Sequence, residues 1–139
     1  MAVMRRGFRR EIDALEEIFR FLGDFFGEAA IDEGVAFTIN LVVEELFTNM
    51  VRHNTGGGDA IDLGIGRVGN AVRIELIDHD VEPFDPTAVP KPPVAKAIGE
   101  RSPGGLGLHL VRNMVDDLSY DYESETRRMR VVVTHQMEP

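Results

Sequence analysis

The chain predicts an α/β (α+β) two-layer sandwich, a mostly antiparallel mixed sheet with three helices on one face. Three observations lead there. Apolar residues recur every three or four positions between 11 and 53. Short segments between 61 and 136 alternate apolar with polar or small residues. An aperiodic stretch, 79–104, holds six of the seven prolines and separates the two halves of the sheet.

The N-terminal segment Val3–Phe8 is expected as an edge strand. A helix is expected over 11–28, with Ile12, Leu15, Ile18, Phe19, Leu22, Phe25 and Phe26 on its apolar side. A second runs from Asp32, a candidate N-cap, to His53, with Val35, Ile39, Val42, Val43, Leu46 and Met50 facing the core. The run Asn54–Asp59, rich in glycine, stops it. Strands follow around Ile61–Ile65 and Val72–Ile77, joined by a turn at Val68-Gly69-Asn70. A third helix is expected over about 106–117, with Leu110, Val111 and Met114 buried. Strands near 118–124 and 128–136, joined by a turn at Glu125-Thr126-Arg127, complete the sheet.

At 139 residues the chain reads as one domain, 1–139, with a lid at about 79–103. It has no cysteine, which excludes a disulfide framework and a thiolate zinc site. Its four histidines show no paired metal spacing. The net charge of −9 disfavours a sequence-independent grip on nucleic acid. No apolar signal core is evident, and charges interrupt the longest apolar stretches short of a membrane span. A cytoplasmic protein with no direct nucleic-acid or membrane partner is expected.

Three pieces carry chemistry. Glu45 and Asn49 lie one helical turn apart, which stacks a carboxylate over a carboxamide. A carboxylate can act as general base, and an amide oxygen can ligate a hard cation such as Mg²⁺. Asp78 ends a strand, where it can accept a hydrogen bond from an exocyclic amine such as adenine N6. Phe84, in Pro83-Phe84-Asp85-Pro86, could wall an apolar pocket. Gly104, Gly105 and Gly107 precede a helix whose positive end and uncovered N–H groups suit a phosphate. Neither a P-loop nor a dinucleotide fingerprint is present. Each piece alone also fits a surface helix, an acidic turn or a loop before a helix; their order together is that of a nucleotide site.

The combination resembles the anti-sigma factor serine/threonine kinases, within the histidine-kinase-like superfamily of gyrase, Hsp90 and MutL ATPases. The resemblance covers nearly the whole chain. It rests on Glu45-x-x-x-Asn49 with Thr48 and His53, on Asp78 with Pro83-Phe84-Asp85-Pro86, and on Arg101-Ser102-Pro103-Gly104-Gly105-Leu106-Gly107-Leu108-His109-Leu110-Val111. It implies a Bergerat-type ATP-binding fold and a kinase using ATP and Mg²⁺. Asn49 would be the metal ligand and Glu45 the base that accepts a serine or threonine proton. Asp78 would read adenine, with Thr134 as a second contact. Gly104, Gly105, Gly107 and Leu108 would lie at the phosphates, and Arg101 would steady the γ-phosphate. The implied partners are a small anti-sigma factor antagonist protein, a sigma factor and a second copy of the chain. One departure stands out: the family's Asp-x-Gly reads Asp78-His79-Asp80. It leaves a rival reading, a catalytically weakened ATP-binding regulatory module that acts by binding a protein partner; a third reading is a regulatory ATPase or a histidine-kinase-like catalytic fragment needing a partner to supply the histidine.

Overall fold

The computed structural model describes residues 3–53, 57–83 and 111–137. Strand β1 (Met4–Arg9) leads through a 3₁₀ turn (Ile12–Ala14) into helix α1 (Leu15–Glu28), followed by α2 (Glu33–His53). Strands β2 (Ala60–Val68), β3 (Ala71–Asp78), β4 (Asp117–Glu123) and β5 (Arg128–Gln136) complete the sheet. Its order is β1-β2-β3-β5-β4. Each described pairing is antiparallel, where a mixed sheet was expected.

Period-two alternation sorts the strand side chains into two faces. One row on the helix side runs Phe8, Ile61, Asp78, Met129, Tyr122. The next runs Arg6, Leu63, Leu76, Val131, Tyr120. The apolar members of both rows join a single cluster with Ile18, Leu22 and Phe25 of α1 and Ile39, Val42, Val43, Leu46 and Phe47 of α2. Burying this continuous apolar surface is what fixes both helices on one face.

The expected boundaries shift in physically readable ways. The first turn of α1 tightens to 3₁₀ geometry, a common form at helix starts. Ile12 and Phe19 are more than a third exposed. Phe21 takes the core place instead, meeting Phe8 edge-on at 5.5 Å between ring centroids. Asp32 acts as anticipated, its Oδ2 accepting the Gly34 N–H at 2.9 Å at the start of α2. His53, the last residue of α2, is exposed. The third helix is described only over 111–114 and gives way to β4 at Asp117, while Met114 is half-buried. The β2–β3 turn places Gly69 at φ 61°, as a two-residue hairpin with glycine first requires.

By length and composition α2 is apolar enough to cross a membrane, contrary to the sequence expectation of interrupted apolar runs. Its buried apolar side chains, among them Val35, Ile39, Val43 and Leu46, join the core cluster, while Phe37 and Leu41 are exposed. On the opposite, open face of the sheet, buried Glu75 is satisfied by Arg5 at 3.1 Å and Arg130 at 3.3 Å.

Candidate nucleotide site

Helix α2 presents Glu45 and Asn49 on the same side, one turn apart. Asn49 is only 3% exposed. Its Nδ2 donates to the Glu45 backbone oxygen at 2.9 Å and to Glu45 Oε1 at 3.0 Å. Both partners are acceptors, so the amide nitrogen must face them and Oδ1 must point away. That oxygen is buried and has no hydrogen-bond partner among the described residues. Leaving such an acceptor unsatisfied costs about 1–3 kcal/mol, a cost that a partner at this oxygen would offset. A neutral carbonyl oxygen is a fitting donor for a hard cation such as Mg²⁺.

Glu45 is half-buried. Desolvation raises its pKa above the usual glutamate range, and repulsion from Glu44 adds to this. The Asn49 hydrogen bond and the charge of Arg52 pull it back in part. The result is a carboxylate with more proton affinity than a surface glutamate has, which suits a general base.

Asp78 is fully buried at the end of β3. Its Oδ1 receives the His79 N–H at 3.1 Å and pairs with Arg10 Nη2. Arg10 also donates from Nε to the Gly58 oxygen at 2.8 Å and from Nη1 to the Met50 oxygen at 3.1 Å. Met50 immediately follows Asn49, so one guanidinium bridges the last turns of α2 and the end of β3. The glutamate–asparagine pair and Asp78 therefore border the same end of the sandwich.

Asp80, in the place of the family's glycine, adopts φ 56°. Aspartate tolerates this left-handed geometry better than most residues, so the turn after Asp78 persists. The segment that follows is anchored: the Val81 N–H donates to the Arg127 oxygen at 3.0 Å, and Tyr122 Oη donates to the Val81 oxygen at 2.7 Å. The lid was expected to begin at 79, but residues 79–82 are tied to the sheet through these bonds and the Arg127–Glu82 ion pair.

Thr134 is not brought to this end. It pairs in register with Arg73, whereas Asp78 pairs with Met129. Five residues separate the two positions along β5, and the odd spacing turns Thr134 toward the open face. Buried Met129 occupies the place beside Asp78. Strand parity could have found it once register was known. Arg10 was also missed in the sequence, although it shares the strand parity of Phe8. The remaining candidates, Phe84, Arg101, Gly104, Gly105, Gly107 and Leu108, lie outside the described residues. Cavities of about 260 and 510 Å³ lie among Arg5, Asp62 and Glu75 and among Asp32, Asp116 and His135. Neither includes Glu45, Asn49 or Asp78.

Known proteins are similar to this chain in sequence or in fold. Residues 8–134 match the family model of the histidine kinase-like ATPase domain. The serine/threonine-protein kinase BtrW of Bordetella bronchiseptica is 34% identical over 86 residues, which are 60% of this chain and 60% of that protein. The structure of the RsbU and RsbW domains of Rv1364c from Mycobacterium tuberculosis superposes with TM-score 0.70 and 16% identity, covering 100% of this chain and 34% of that one. The histidine kinase domain of the Erythrobacter litoralis EL346 blue-light activated histidine kinase gives TM-score 0.52 and 17% identity, covering 93% of this chain and 61% of that one. With a single family model spanning residues 8–134, both α1 and α2 and the strands β2 to β4 included, the chain belongs to the histidine kinase-like ATPase domain family.

Proposed function

We propose that this domain is an anti-sigma-factor-type serine/threonine protein kinase, which binds Mg²⁺–ATP and phosphorylates a small antagonist protein to regulate transcription by partner switching. The observation that carries the proposal is the Glu45–Asn49 pair. Its amide nitrogen is engaged by Glu45, its amide oxygen is buried without a partner among the described residues, and its carboxylate has a raised pKa. The likeness to BtrW, a serine/threonine-protein kinase, supports this branch of the family. A sigma factor, a second copy of the chain and a cytoplasmic setting belong to the same proposal.

In the proposed step the substrate hydroxyl oxygen bonds to the γ-phosphorus of ATP as the bond to the β,γ-bridging oxygen breaks. ADP leaves, and Glu45 takes the hydroxyl proton. Asn49 Oδ1 would hold the magnesium ion, which supplies charge neutralisation at the phosphates. Asp78 would read adenine, and the glycines at 104, 105 and 107, with Leu108 and Arg101, would contact the phosphates. Phe84 would wall the base pocket. The protein's contribution is positioning and a proton acceptor at fixed geometry.

The test is Glu45→Gln. The variant is expected to bind Mg²⁺–ATP like the parent and to lose transfer to a small single-domain antagonist, by about 10²- to 10⁴-fold. Full transfer by the variant would remove Glu45 as the base. A second reading, a catalytically weakened ATP-binding regulatory module, is favoured by the Asp80 side chain where glycine would admit the base closely. A parent protein that binds ATP and its antagonist but transfers no phosphate would establish that reading instead.

A further inference from the structure

Arg10 lies outside every motif that marks the nucleotide site, yet its guanidinium sits among the elements that form it. Its side chain is only 12% exposed, and Asp78, its partner, is fully buried. A buried arginine keeps its charge, so this is an ion pair rather than a neutral contact. Two further bonds, to the Gly58 and Met50 oxygens at 2.8 and 3.1 Å, hold the guanidinium plane independently of Asp78. A hydrogen-bonded fork seated on two backbone carbonyls is pre-organised; it is not a loose side chain that has swung into a gap.

The consequence falls on Asp78. Arg10 Nη2 and the His79 N–H both approach the same oxygen, Oδ1. They fix the plane of the carboxylate, so that its second oxygen, Oδ2, has one orientation. We infer that Arg10 is a positioning residue for base selection, locking Asp78 as an ionised acceptor that favours a purine with an exocyclic amine at C6 over one with a carbonyl there. This rests on the proposal that Asp78 reads adenine. A carboxylate facing the C6 carbonyl of guanine presents acceptor to acceptor, and a site built for a hydrogen bond rejects the mismatched group strongly. A carboxylate free to rotate loses that rejection.

A purely structural role predicts something different. Arg10 joins β1, the loop at Gly58, the end of α2 and β3, so its removal will also cost stability. Loss of folded protein weakens apparent binding of every nucleotide alike. The ratio of ATP to GTP affinity is unchanged by it, which makes the ratio the proper readout.

The experiment titrates the intact chain with Mg²⁺–ATP and Mg²⁺–GTP in the parent, Arg10→Met and Arg10→Lys proteins. The parent is expected to prefer ATP. Arg10→Met should lower the ATP-to-GTP preference by roughly tenfold or more. Arg10→Lys, which keeps the charge without the fork, should retain more of it, and it carries the test if Arg10→Met does not fold. An unchanged ratio in both variants would make Arg10 a structural tie only. Tighter ATP binding on removing Arg10 would make it a competitor for Asp78 and overturn the inference. A parent that binds GTP as well as ATP would refute adenine reading by Asp78 itself, an outcome seen before any variant is measured.

Discussion

Replacing Asn49 with leucine separates stability from function at a single buried position. The two side chains have the same branched shape, and Asn49 is 3% exposed, so the substitution stays within the core. The variant loses the parent's Nδ2 bonds to the Glu45 backbone oxygen and to Oε1. Each is worth about 0.5–1.5 kcal/mol, or somewhat more where the acceptor is charged. The Glu45 backbone oxygen lies within α2, and its half-buried carboxylate can take up water. Neither is left stranded. Against this loss, Oδ1, without a partner among the described residues, disappears, relieving about 1–3 kcal/mol, and apolar surface takes its place. The opposing effects are of equal size. Asn49→Leu should therefore unfold in urea within about 1 kcal/mol of the parent, with an unchanged slope. Magnesium-dependent ATP affinity should fall by at least about 10- to 100-fold, the scale seen when even the supports of a metal ligand are removed. A loss of about 3 kcal/mol or more in urea would mean that Oδ1 is satisfied in the free protein. Unchanged magnesium dependence in titration would show that the oxygen holds no cation.

Further outcomes follow from the same geometry. Burial raises the Glu45 pKa, so the folded protein holds that proton to higher pH than the unfolded chain does. Stability from this group is therefore present below the unfolded-state value and lost as pH rises through the raised one. Glu45→Gln should be more stable than the parent at pH 7, with the gain vanishing on acidification below the unfolded glutamate value of about 4.3; a gain independent of pH would contradict this. Asp78→Asn should reduce ATP affinity and lower the melting temperature together, because it breaks the buried pair with Arg10 and such losses run to about 3–5 kcal/mol. Normal melting would show the pair to be weak. Asp80→Gly should stabilise the turn at φ 56° and tighten nucleotide binding; weaker binding would show that the aspartate contributes to the site. In hydrogen exchange without nucleotide, the Val81 amide should be protected by its bond to Arg127, and rapid exchange there would place the hinge of the lid before it.

What was legible in the chain was legible for local reasons. The spacing of Ile18, Leu22 and Phe25, and of Val35, Ile39, Val42 and Leu46, is a helical period, and these residues are buried. Strand alternation marked Leu63, Ile74 and Leu76 for the core in the same way. Glu45 and Asn49 were paired by helix geometry before any contact was known, since residues four apart on a helix are neighbours in any fold.

Register and long-range pairing belong to the tertiary structure. Nothing local distinguishes Thr134 from Met129 as the residue opposite Asp78; the β3–β5 ladder decides it, and a shift of one residue reverses every side chain. Phe21 displaced Phe19 from the core because β1 lies beside α1 and offers Phe8 as a partner. Arg10 looks like one of several N-terminal arginines until the sheet brings residue 78 within reach of residue 10. Sequence alone thus determined which side chains could do the chemistry, because periodicity and residue type act over a single turn or strand. Which of them meet was decided by the packing of the sheet, whose strand pairings join residues far apart in the chain.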